Sequence, residues 1–397
     1  MKGNTLNKQL TVLMFLLLNC FVSCSEDDNM ILKTVTINLT EAGTLPDKIS
    51  SSNKNKITNL KIIGDINGTD LRFIREMAGN IIGNGNLSKL DLSKAWIVEG
   101  GEAYCHKEGN YYYSSNNQLG CYAFDGCFSL TSINIPLSVT SIGDRALSCT
   151  PLENINIPSS VTEIGERAFL YCDHLKSVNI PSSVTELGGG AFRGCESLKN
   201  INIPSSVTEI KEGTFCECKS LEKINIPSSV TEIGDYAFQY CESLKNINIP
   251  SSVTEIGDYA FSGCSSLEKI NIPSSVTEIG TGAFEYCRSL ESIKIPSNVT
   301  KIGYSAFRDC KSLRAIYVYA EKVPILPYNS CAFEGCDSKK CKVYVPIGTY
   351  DAYSRSQFGY FENIVEFDAT SFRNTIATAE NQDTTHYVVN DKEEHTH

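Results

Sequence analysis

The sequence predicts a repeat solenoid, in which short strands and tight turns stack into one elongated body. The first observation is a sequence motif that recurs every 23 residues, almost unchanged, in Ser197–Cys218, Ser220–Cys241, Ser243–Cys264 and Ser266–Cys287. The second is the spacing of eight prolines, with one interval of 22 residues and six of 23: Pro136, Pro158, Pro181, Pro204, Pro227, Pro250, Pro273 and Pro296. A unit of this size cannot bury its apolar face alone, so we expect one continuous stacked core.

Each unit reads as a strand, a second extended stretch and a turn. The alternation around Ile201 and Ile203 predicts a short strand with both isoleucines inside. Pro204 lacks an amide hydrogen and ends that strand, and Val207 and Ile210 bracket the second stretch. The closing phrase Ala-Phe-x-x-Cys predicts a single helical or 3₁₀ turn with Phe and Cys on its inner side. In six units a glycine after the second stretch predicts a turn, with Lys211 as the exception: Gly165, Gly188, Gly234, Gly257, Gly280 and Gly303.

The consensus L-x-x-I-x-I-P-x-S-V-T-x-I-G-x-x-A-F-x-x-C resembles the treponemal, or BspA-like, class of leucine-rich repeat. Matching units run from about Cys121 to Cys341, which is more than half of the chain. The resemblance implies an α/β-type leucine-rich repeat solenoid of short strands and short helical or 3₁₀ turns, with a strand-lined concave face.

The ends of the chain depart from the period. Asp70–Met77 predicts a short helix, Leu87–Leu92 an irregular repeat and Lys342–Pro346 a last strand. Because a solenoid needs caps to cover its ends, we expect one on each side. The predicted segments are a lipoprotein signal peptide (1–23), an acidic lipidated tether (24–30), an N-terminal cap with irregular repeats (31–120), the leucine-rich repeat solenoid (121–341), a C-terminal cap (342–368) and a polar, disordered tail (369–397).

The first residues have the features of a secretory signal. Lys2 and Lys8 precede the apolar run Leu10–Leu18, which is shorter than the roughly 20 residues that a membrane-spanning helix needs. The run closes at Ser23-Cys24, which resembles a bacterial lipoprotein signal and implies that Cys24 carries the lipid. Ser25-Glu26-Asp27-Asp28 resembles the acidic tether of Bacteroidetes surface lipoproteins, which implies an exposed location on the outer membrane. The alternative is an ordinary cleaved signal with a chance cysteine.

Charge argues against one class of partner. The formal net charge is −11, and removing residues 1–23 deletes two lysines and no acid, which gives −13. Nucleic-acid recognition needs clustered Lys and Arg, whereas the lysines here are scattered. We therefore expect no nucleic-acid partner.

Most of the 17 cysteines read as core residues. A column of small, reduced thiols is the simplest interpretation, because buried thiols in apolar surroundings are inert. The alternative is a set of disulfides, since an exported protein meets an oxidising compartment; stacked parallel side chains oppose it. No C-x-x-C pair indicates a metal site. Ten cysteines share one position of the unit: Cys127, Cys149, Cys172, Cys195, Cys218, Cys241, Cys264, Cys287, Cys310 and Cys336.

Two pairs outside that position are candidate disulfides. Cys105 and Cys121 enclose a polar loop rich in tyrosine. A bond there would staple the loop and contribute roughly 3 kcal/mol on the loop-entropy argument. Cys331–Cys341 is a weaker second candidate.

Catalytic chemistry has little support. Only His106 and His174 lie in the body of the chain. Paired carboxylates work as acid and base when their environments separate their pKa values, whereas one row of acids should have near-equal environments. We predict no enzyme, no cofactor and no metal; the row is a solvated acidic stripe or, alternatively, a surface for a basic partner or weakly bound cations. Its members are Glu163, Glu186, Glu209, Glu232, Glu255 and Glu278.

The outward strand positions are the candidate binding surface. They form an asparagine row: Asn134, Asn156, Asn179, Asn202, Asn225, Asn248 and Asn271. The stacked amides hydrogen-bond to one another, or they serve a protein or glycan ligand on the concave face, or both. Tyr236 and Tyr259, near the turns, and Tyr112, in the tyrosine-rich loop, are candidate anchors because tyrosine is favoured at binding hot spots.

A surface copied many times suits binding better than catalysis. The sequence therefore predicts a non-catalytic surface lipoprotein with adhesin-like protein binding. The family resemblance implies host matrix proteins or bacterial surface proteins as partners. A glycan-binding accessory protein of a nutrient-uptake system and a structural spacer are the alternatives.

Overall fold

The computed structural model describes residues 34–80 and 85–369, which form a β-solenoid of about 14 turns with little helix. The predicted repeat solenoid is confirmed. The helices are α1 (Leu45–Lys48), α2 (Ser51–Lys54), α3 (Gly68–Met77) and α4 (Tyr350–Ser354), with a 3₁₀ helix at Gln357–Tyr360. The strands are β1 (Val35–Asn38), β2 (Asn59–Ile66), β3 (Lys89–Ile97), β4 (Gly100–Lys107), β5 (Asn110–Ser114), β6 (Gln118–Leu119), β7 (Ser132–Asn134), β8 (Ser141–Ile142), β9 (Asn154–Asn156), β10 (Glu163–Ile164), β11 (Ser177–Asn179), β12 (Glu186–Leu187), β13 (Asn200–Asn202), β14 (Glu209–Ile210), β15 (Lys223–Asn225), β16 (Glu232–Ile233), β17 (Asn246–Asn248), β18 (Glu255–Ile256), β19 (Lys269–Asn271), β20 (Glu278–Ile279), β21 (Ser292–Ile295), β22 (Lys301–Ile302), β23 (Ala315–Val318), β24 (Lys342–Pro346) and β25 (Asn363–Phe367).

One side of the solenoid is a stack of parallel strands. It runs β1-β2-β3-β7-β9-β11-β13-β15, continues as β17-β19 and ends as β21-β23-β24-β25. Ile201 and Ile203 are buried while Asn202 between them is exposed, as the alternation predicts. We call the outward side chains of these strands the strand face.

A second parallel stack runs along another side, in the orders β12-β10-β8-β6 and β14-β16-β18-β20-β22. We expected the glycine that follows each strand to supply a turn, but in the structure it allows the backbones of successive units to pack closely. A Cβ on Gly188 would lie 2.3 Å from the carbonyl carbon of Gly165, so only glycine allows the backbones to approach this closely. Lys211 carries a Cβ at this position, and the ladder is interrupted between β12 and β14.

The third side is an arc of consecutive turns closed by bonds over three residues, with Phe and Cys on its inner side as predicted but without a continuous helix. In one unit the amides of Tyr236, Phe238 and Tyr240 donate to carbonyls 22 positions further on, in the next unit. The amides of Ala237 and Gln239 instead donate to carbonyls three residues back. This alternation requires a left-handed backbone at Tyr236 and Tyr240, both with φ of 56°. Bonds between units therefore replace the bonds that would continue a helix.

A column of phenylalanine rings fills the core beneath the arc. Ring centroids in successive units lie 5.1 to 5.9 Å apart with nearly parallel planes. Leu147 occupies the same place one unit before Phe169, and both are fully buried. The column runs through Phe169, Phe192, Phe215, Phe238, Phe261, Phe284, Phe307 and Phe333.

The cysteine column is confirmed at nine of its ten predicted positions, all buried free thiols. From Cys172 onward each thiol donates to a carbonyl of the preceding unit, for example Cys218 to Phe192 at 3.2 Å. The prediction for Cys149 is wrong, because this residue is half-buried on the arc, with φ of 54°. Thr150 takes the column position, and its hydroxyl donates to the carbonyl of Leu147 at 2.6 Å.

The N-terminal end extends the strand stack by three strands. Helix α3 contains the predicted Asp70–Met77, and a reciprocal capping box between Asn67 and Asp70 defines its start. Leu71 and Ile74 of this helix are buried. Strands β4 and β5 project as an antiparallel hairpin.

The C-terminal end covers the last turns. Strand β24 has the predicted bounds, and β25 pairs with it in parallel. Tyr353 of α4 is fully buried and its hydroxyl donates to the carbonyl of Ala320 at 2.6 Å. Phe358 packs against the ring of Phe333, so the end of the phenylalanine column is shielded from water.

Within 34–80 and 85–369, no helix combines the length and apolar character that crossing a bilayer requires. The predicted signal peptide, Cys24, the acidic tether and the tail from residue 370 lie outside the described residues.

Candidate binding surfaces

Strand pairing places the members of the asparagine row in register on the strand face. Parallel pairing places Asn134, Asn156, Asn179, Asn202 and Asn225 opposite one another, and Asn248 opposite Asn271. Every member is exposed. Among residues 34–80 and 85–369 no hydrogen bond joins two amides of the row, so the amide ladder, one of the two interpretations, is not formed. The amide donors and acceptors therefore face solvent.

Strand register carries the same row toward both ends. On the N-terminal side Asn134 pairs with Asp91, and Asp91 pairs with Lys61. Lys61 Nζ lies 2.7 Å from a carboxylate oxygen of Asp91. Burial raises the pKa of Asp91, but hydrogen bonds from Lys61 and Ser93 outweigh it and lower the pKa to about 2. This end of the row is a satisfied ion pair.

The C-terminal end of the row is aromatic, which our sequence reasoning missed. Lys294 pairs with Tyr317, and Tyr317 pairs with Tyr344. The two tyrosine rings stack with centroids 4.6 Å apart and an interplanar angle of 7°. Phe367 packs edge-on to both rings at 6.3 Å and to Tyr319 at 5.5 Å. The signal was present, since Ile-Tyr-Val stands where other units have Ile-Asn-Ile.

The glutamate row is also in register, on the second stack. Glu209, Glu232 and Glu255 lie directly opposite one another. Burial, followed by repulsion from Glu209 and Glu255, raises the pKa of Glu232. Two other members of the row are paired with lysines, Glu186 with Lys211 at 2.5 Å and Glu278 with Lys301 at 2.8 Å.

The predicted tyrosine anchors are largely engaged in packing. Tyr236 and Tyr259 stack with centroids 5.3 Å apart, and a Cβ on Gly282 would lie 2.4 Å from the ring of Tyr259. The ring of Tyr259 is thus covered on both sides. Tyr112 is half-buried against Tyr122, with centroids 4.9 Å apart. These rings leave edges and hydroxyls, more than open faces, for a ligand.

The candidate disulfide Cys105–Cys121 is not formed; both thiols are free. Neighbouring residues of a strand point to opposite sides. Tyr104 uses its hydroxyl on the carbonyl of Cys121 at 2.9 Å, so Cys105 points the other way, 3.6 Å from a guanidinium nitrogen of Arg75. Burial raises the pKa of the Cys105 thiol against the opposing effect of Arg75. The pair Cys331 and Cys341 is also unbonded: Cys331 is exposed and Cys341 buried.

A cavity of about 450 Å³ lies beside Cys105 and is also lined by Arg72, Glu76 and His106. The buried guanidinium of Arg75 beside the cavity already has hydrogen-bond partners, because it donates to the carbonyls of Tyr122, Ala123 and Asp125. The guanidinium therefore ties the N-terminal helix to the first turn arc. We assign this region a structural role.

The family description "BspA type Leucine rich repeat region" matches residues 104–222 and 208–340 in six copies. The chain belongs to the BspA-type leucine-rich repeat family. Among solved structures, it is similar to a leucine-rich repeat protein from Bacteroides ovatus, with 26% identity over 79% of this chain and 85% of that chain and a TM-score of 0.43. It is also similar to the T. pallidum leucine-rich repeat protein, with 34% identity over 41% of this chain and 78% of that chain and a TM-score of 0.38. A leucine-rich cell surface protein from Faecalibacterium prausnitzii matches at 23% identity over 87% of this chain and 82% of that chain, with a TM-score of 0.35. No curated protein matches the chain.

The BspA-type repeats enclose the whole asparagine row and Tyr317, but end before Tyr344. Leucine-rich repeats generally form a non-catalytic scaffold. The two histidines in the body of this BspA-type chain have different neighbours. The rings of His106 and Tyr111 lie 4.4 Å apart and are tilted by 33°, and His174 lies 2.7 Å from Asp173 on the surface. In the described ranges no three His, Cys, Asp or Glu side chains are grouped to hold a metal ion.

Proposed function

We propose that this protein is a non-catalytic, adhesin-like lipoprotein of the outer membrane surface that binds protein partners through its strand face. The observation that carries the proposal is the asparagine row, whose seven exposed amides lie in line without bonding to one another. Each amide offers two donors and an acceptor oxygen. A partner with a peptide backbone or polar side chains can therefore contact several units at once.

The anchoring part of the proposal rests on the residues around Cys24. A lipid there places the solenoid at the membrane surface with its elongated faces in water. Many identical contacts, each weak, then add up when a partner spans several units. Host matrix proteins and surface proteins of other bacteria are the expected partner class.

The test is binding of the purified protein to an array of matrix proteins, bacterial surface proteins and glycans. The variant Asn179→Ala/Asn202→Ala/Asn225→Ala should weaken protein binding by about tenfold or more, because three hydrogen-bonding groups are lost. The matched control is Ser182→Ala/Ser205→Ala/Ser228→Ala, which changes exposed serines in the same three units. It should leave binding unchanged.

Other outcomes would contradict the proposal. Glycan binding without protein binding would favour the glycan-uptake alternative. Equal losses in both variants would place the contact elsewhere on the solenoid. Silence across the array would favour a structural spacer.

A further inference from the structure

Positive charge is concentrated on the C-terminal half of the strand face. Lys223, Lys269, Lys294 and Lys342 project outward from β15, β19, β21 and β24, and all four are exposed. The salt bridges within residues 34–80 and 85–369 include none of these four. We call this group the lysine set.

No carboxylate on the same face offsets the lysine set. From β15 through β24 the other outward positions hold Asn, Ser, Ala or Tyr. The positions one residue before the strands from β15 to β25 add two bases and four acids, so six bases face four acids in all: Glu222, Lys245, Glu268, Glu291, Arg314 and Glu362. A chain with net charge −11 therefore keeps a local excess of cations on this face.

The aromatic cluster borders the lysine set. Tyr317 and Tyr344 stack on each other, and Phe367 packs edge-on to both. Stacking covers one face of each tyrosine ring, and both side chains remain half-buried. Tyrosine is favoured at protein interfaces because it combines an apolar ring with a polar hydroxyl.

We propose that the strand face from β15 to β25 binds an acidic polypeptide, whose carboxylates contact the lysine set and whose aromatic or apolar residues pack on Tyr317 and Tyr344. This inference rests on the proposed binding role of the strand face and names the chemistry of the partner. Charge complementarity selects an acidic ligand, and the half-buried tyrosine pair offers a packing surface to aromatic or apolar side chains of that ligand.

The probes are poly-L-glutamate, a random copolymer of glutamate and tyrosine, and heparin as a sulfated glycan, each immobilised and exposed to the purified protein. Both polypeptides should bind, and the copolymer should bind more tightly because it also supplies aromatic rings. Raising the salt from about 0.1 M to 1 M shortens the screening length from about 10 Å to about 3 Å and should weaken both. Tighter binding to heparin than to the polypeptides would overturn the proposal.

Variants locate the contact. Lys223→Gln/Lys269→Gln/Lys294→Gln/Lys342→Gln should weaken poly-L-glutamate binding by about tenfold or more, since four exposed charge contacts are lost. The control with the same change of charge is Lys176→Gln/Lys211→Gln/Lys219→Gln/Lys301→Gln, whose lysines are all in ion pairs. An equal loss of affinity in the control would show that net charge alone governs binding, and would refute the lysine set as the contact site.

A third variant tests the aromatic part. Tyr317→Asn/Tyr344→Asn installs the residue that other units carry at this position, and it should abolish the preference for the copolymer while leaving poly-L-glutamate binding intact. A retained preference would exclude the tyrosines. Far-UV circular dichroism and the urea midpoint check folding, and the milder pair Lys269→Gln/Lys294→Gln serves if the fourfold variant unfolds early.

Failure of this inference is distinguishable from failure of the proposed function. If the protein array binds through the asparagine row while poly-L-glutamate does not bind, only the acidic partner is wrong. If poly-L-glutamate binds through the lysine set while the array is silent, the adhesin-like role is wrong.

Discussion

Gly188 lies so close to Gly165 that a Cβ on Gly188 would sit 2.3 Å from the carbonyl carbon of Gly165. The spacing of the second strand stack therefore depends on the absence of a side chain. Lys211, which breaks this rule, coincides with the interruption between β12 and β14.

Substituting Gly188→Ala should destabilise the solenoid by about 1–3 kcal/mol, because the added methyl forces the two backbones apart. The control is the adjacent Gly189→Ala, where the added Cβ would meet only a carbonyl oxygen at 3.3 Å. The midpoint of urea unfolding, followed by circular dichroism, measures both. Equal midpoints for the two variants would show that close approach is not what selects glycine.

The phenylalanine column predicts a graded response to truncation. Phe238→Ala should cost about 3–5 kcal/mol, since it opens a cavity in a fully buried stack. Phe238→Leu should cost clearly less, because Leu147 already fills the equivalent place in another unit. Urea unfolding compares the two, and equal losses would mean that aromatic stacking, not volume, holds the column together.

The buried thiols predict a loss of stability at alkaline pH. Burial raises the pKa of Cys172 and Cys264 to about 12, while an exposed thiol titrates at about 8.5. Below that lower pH both states keep their protons and stability is unaffected. Above it the unfolded chain releases protons that the folded chain retains, so stability falls by up to about 1.4 kcal/mol per pH unit for each thiol.

Unfolding midpoints measured between pH 8 and pH 11 test this dependence. Other groups also titrate in this range, so the informative comparison is with Cys172→Thr/Cys264→Thr, which copies Thr150 at the same position. The double variant should lose stability less steeply with pH. An unchanged slope would mean that these thiols do not contribute.

The leading segment predicts a lipid on one particular cysteine. Cys24→Ala should abolish incorporation of labelled palmitate in cells and release the protein from the membrane fraction. Cys20→Ala, four residues earlier in the same segment, should leave both unchanged. Labelling that persists in the first variant would refute lipid attachment at Cys24.

The sequence predicted the parts of this fold that depend on periodicity. Inward Ile201 and Ile203, outward Asn202 and the buried cysteine column follow directly from alternation and spacing. Cys149 was misplaced because one residue fewer separates Thr150 from Leu152 than Cys172 from Leu175. A nearby cysteine then looked like the column member, although Thr150 takes that place.

Features that depend on contacts between units were not predictable from one unit. Tyr236 and Tyr240 adopt left-handed backbone because their amides bond to the next unit, although neither is glycine. Tyr317 and Tyr344 were missed for another reason. The segment between Tyr317 and Tyr344 is longer than one repeat, so the sequence period does not align the two residues. Only the pairing of strands β23 and β24 shows that they continue the asparagine row.

The asparagine row has translational symmetry along the solenoid. A ligand that contacts only the asparagine of one unit would find the same amide after a shift of one unit, so it would have up to seven equivalent positions. For the proposed binding role, that multiplicity alone would favour binding by RT ln 7, about 1.1 kcal/mol. The Lys61–Asp91 ion pair and the Tyr317–Tyr344 stack break the symmetry at the two ends.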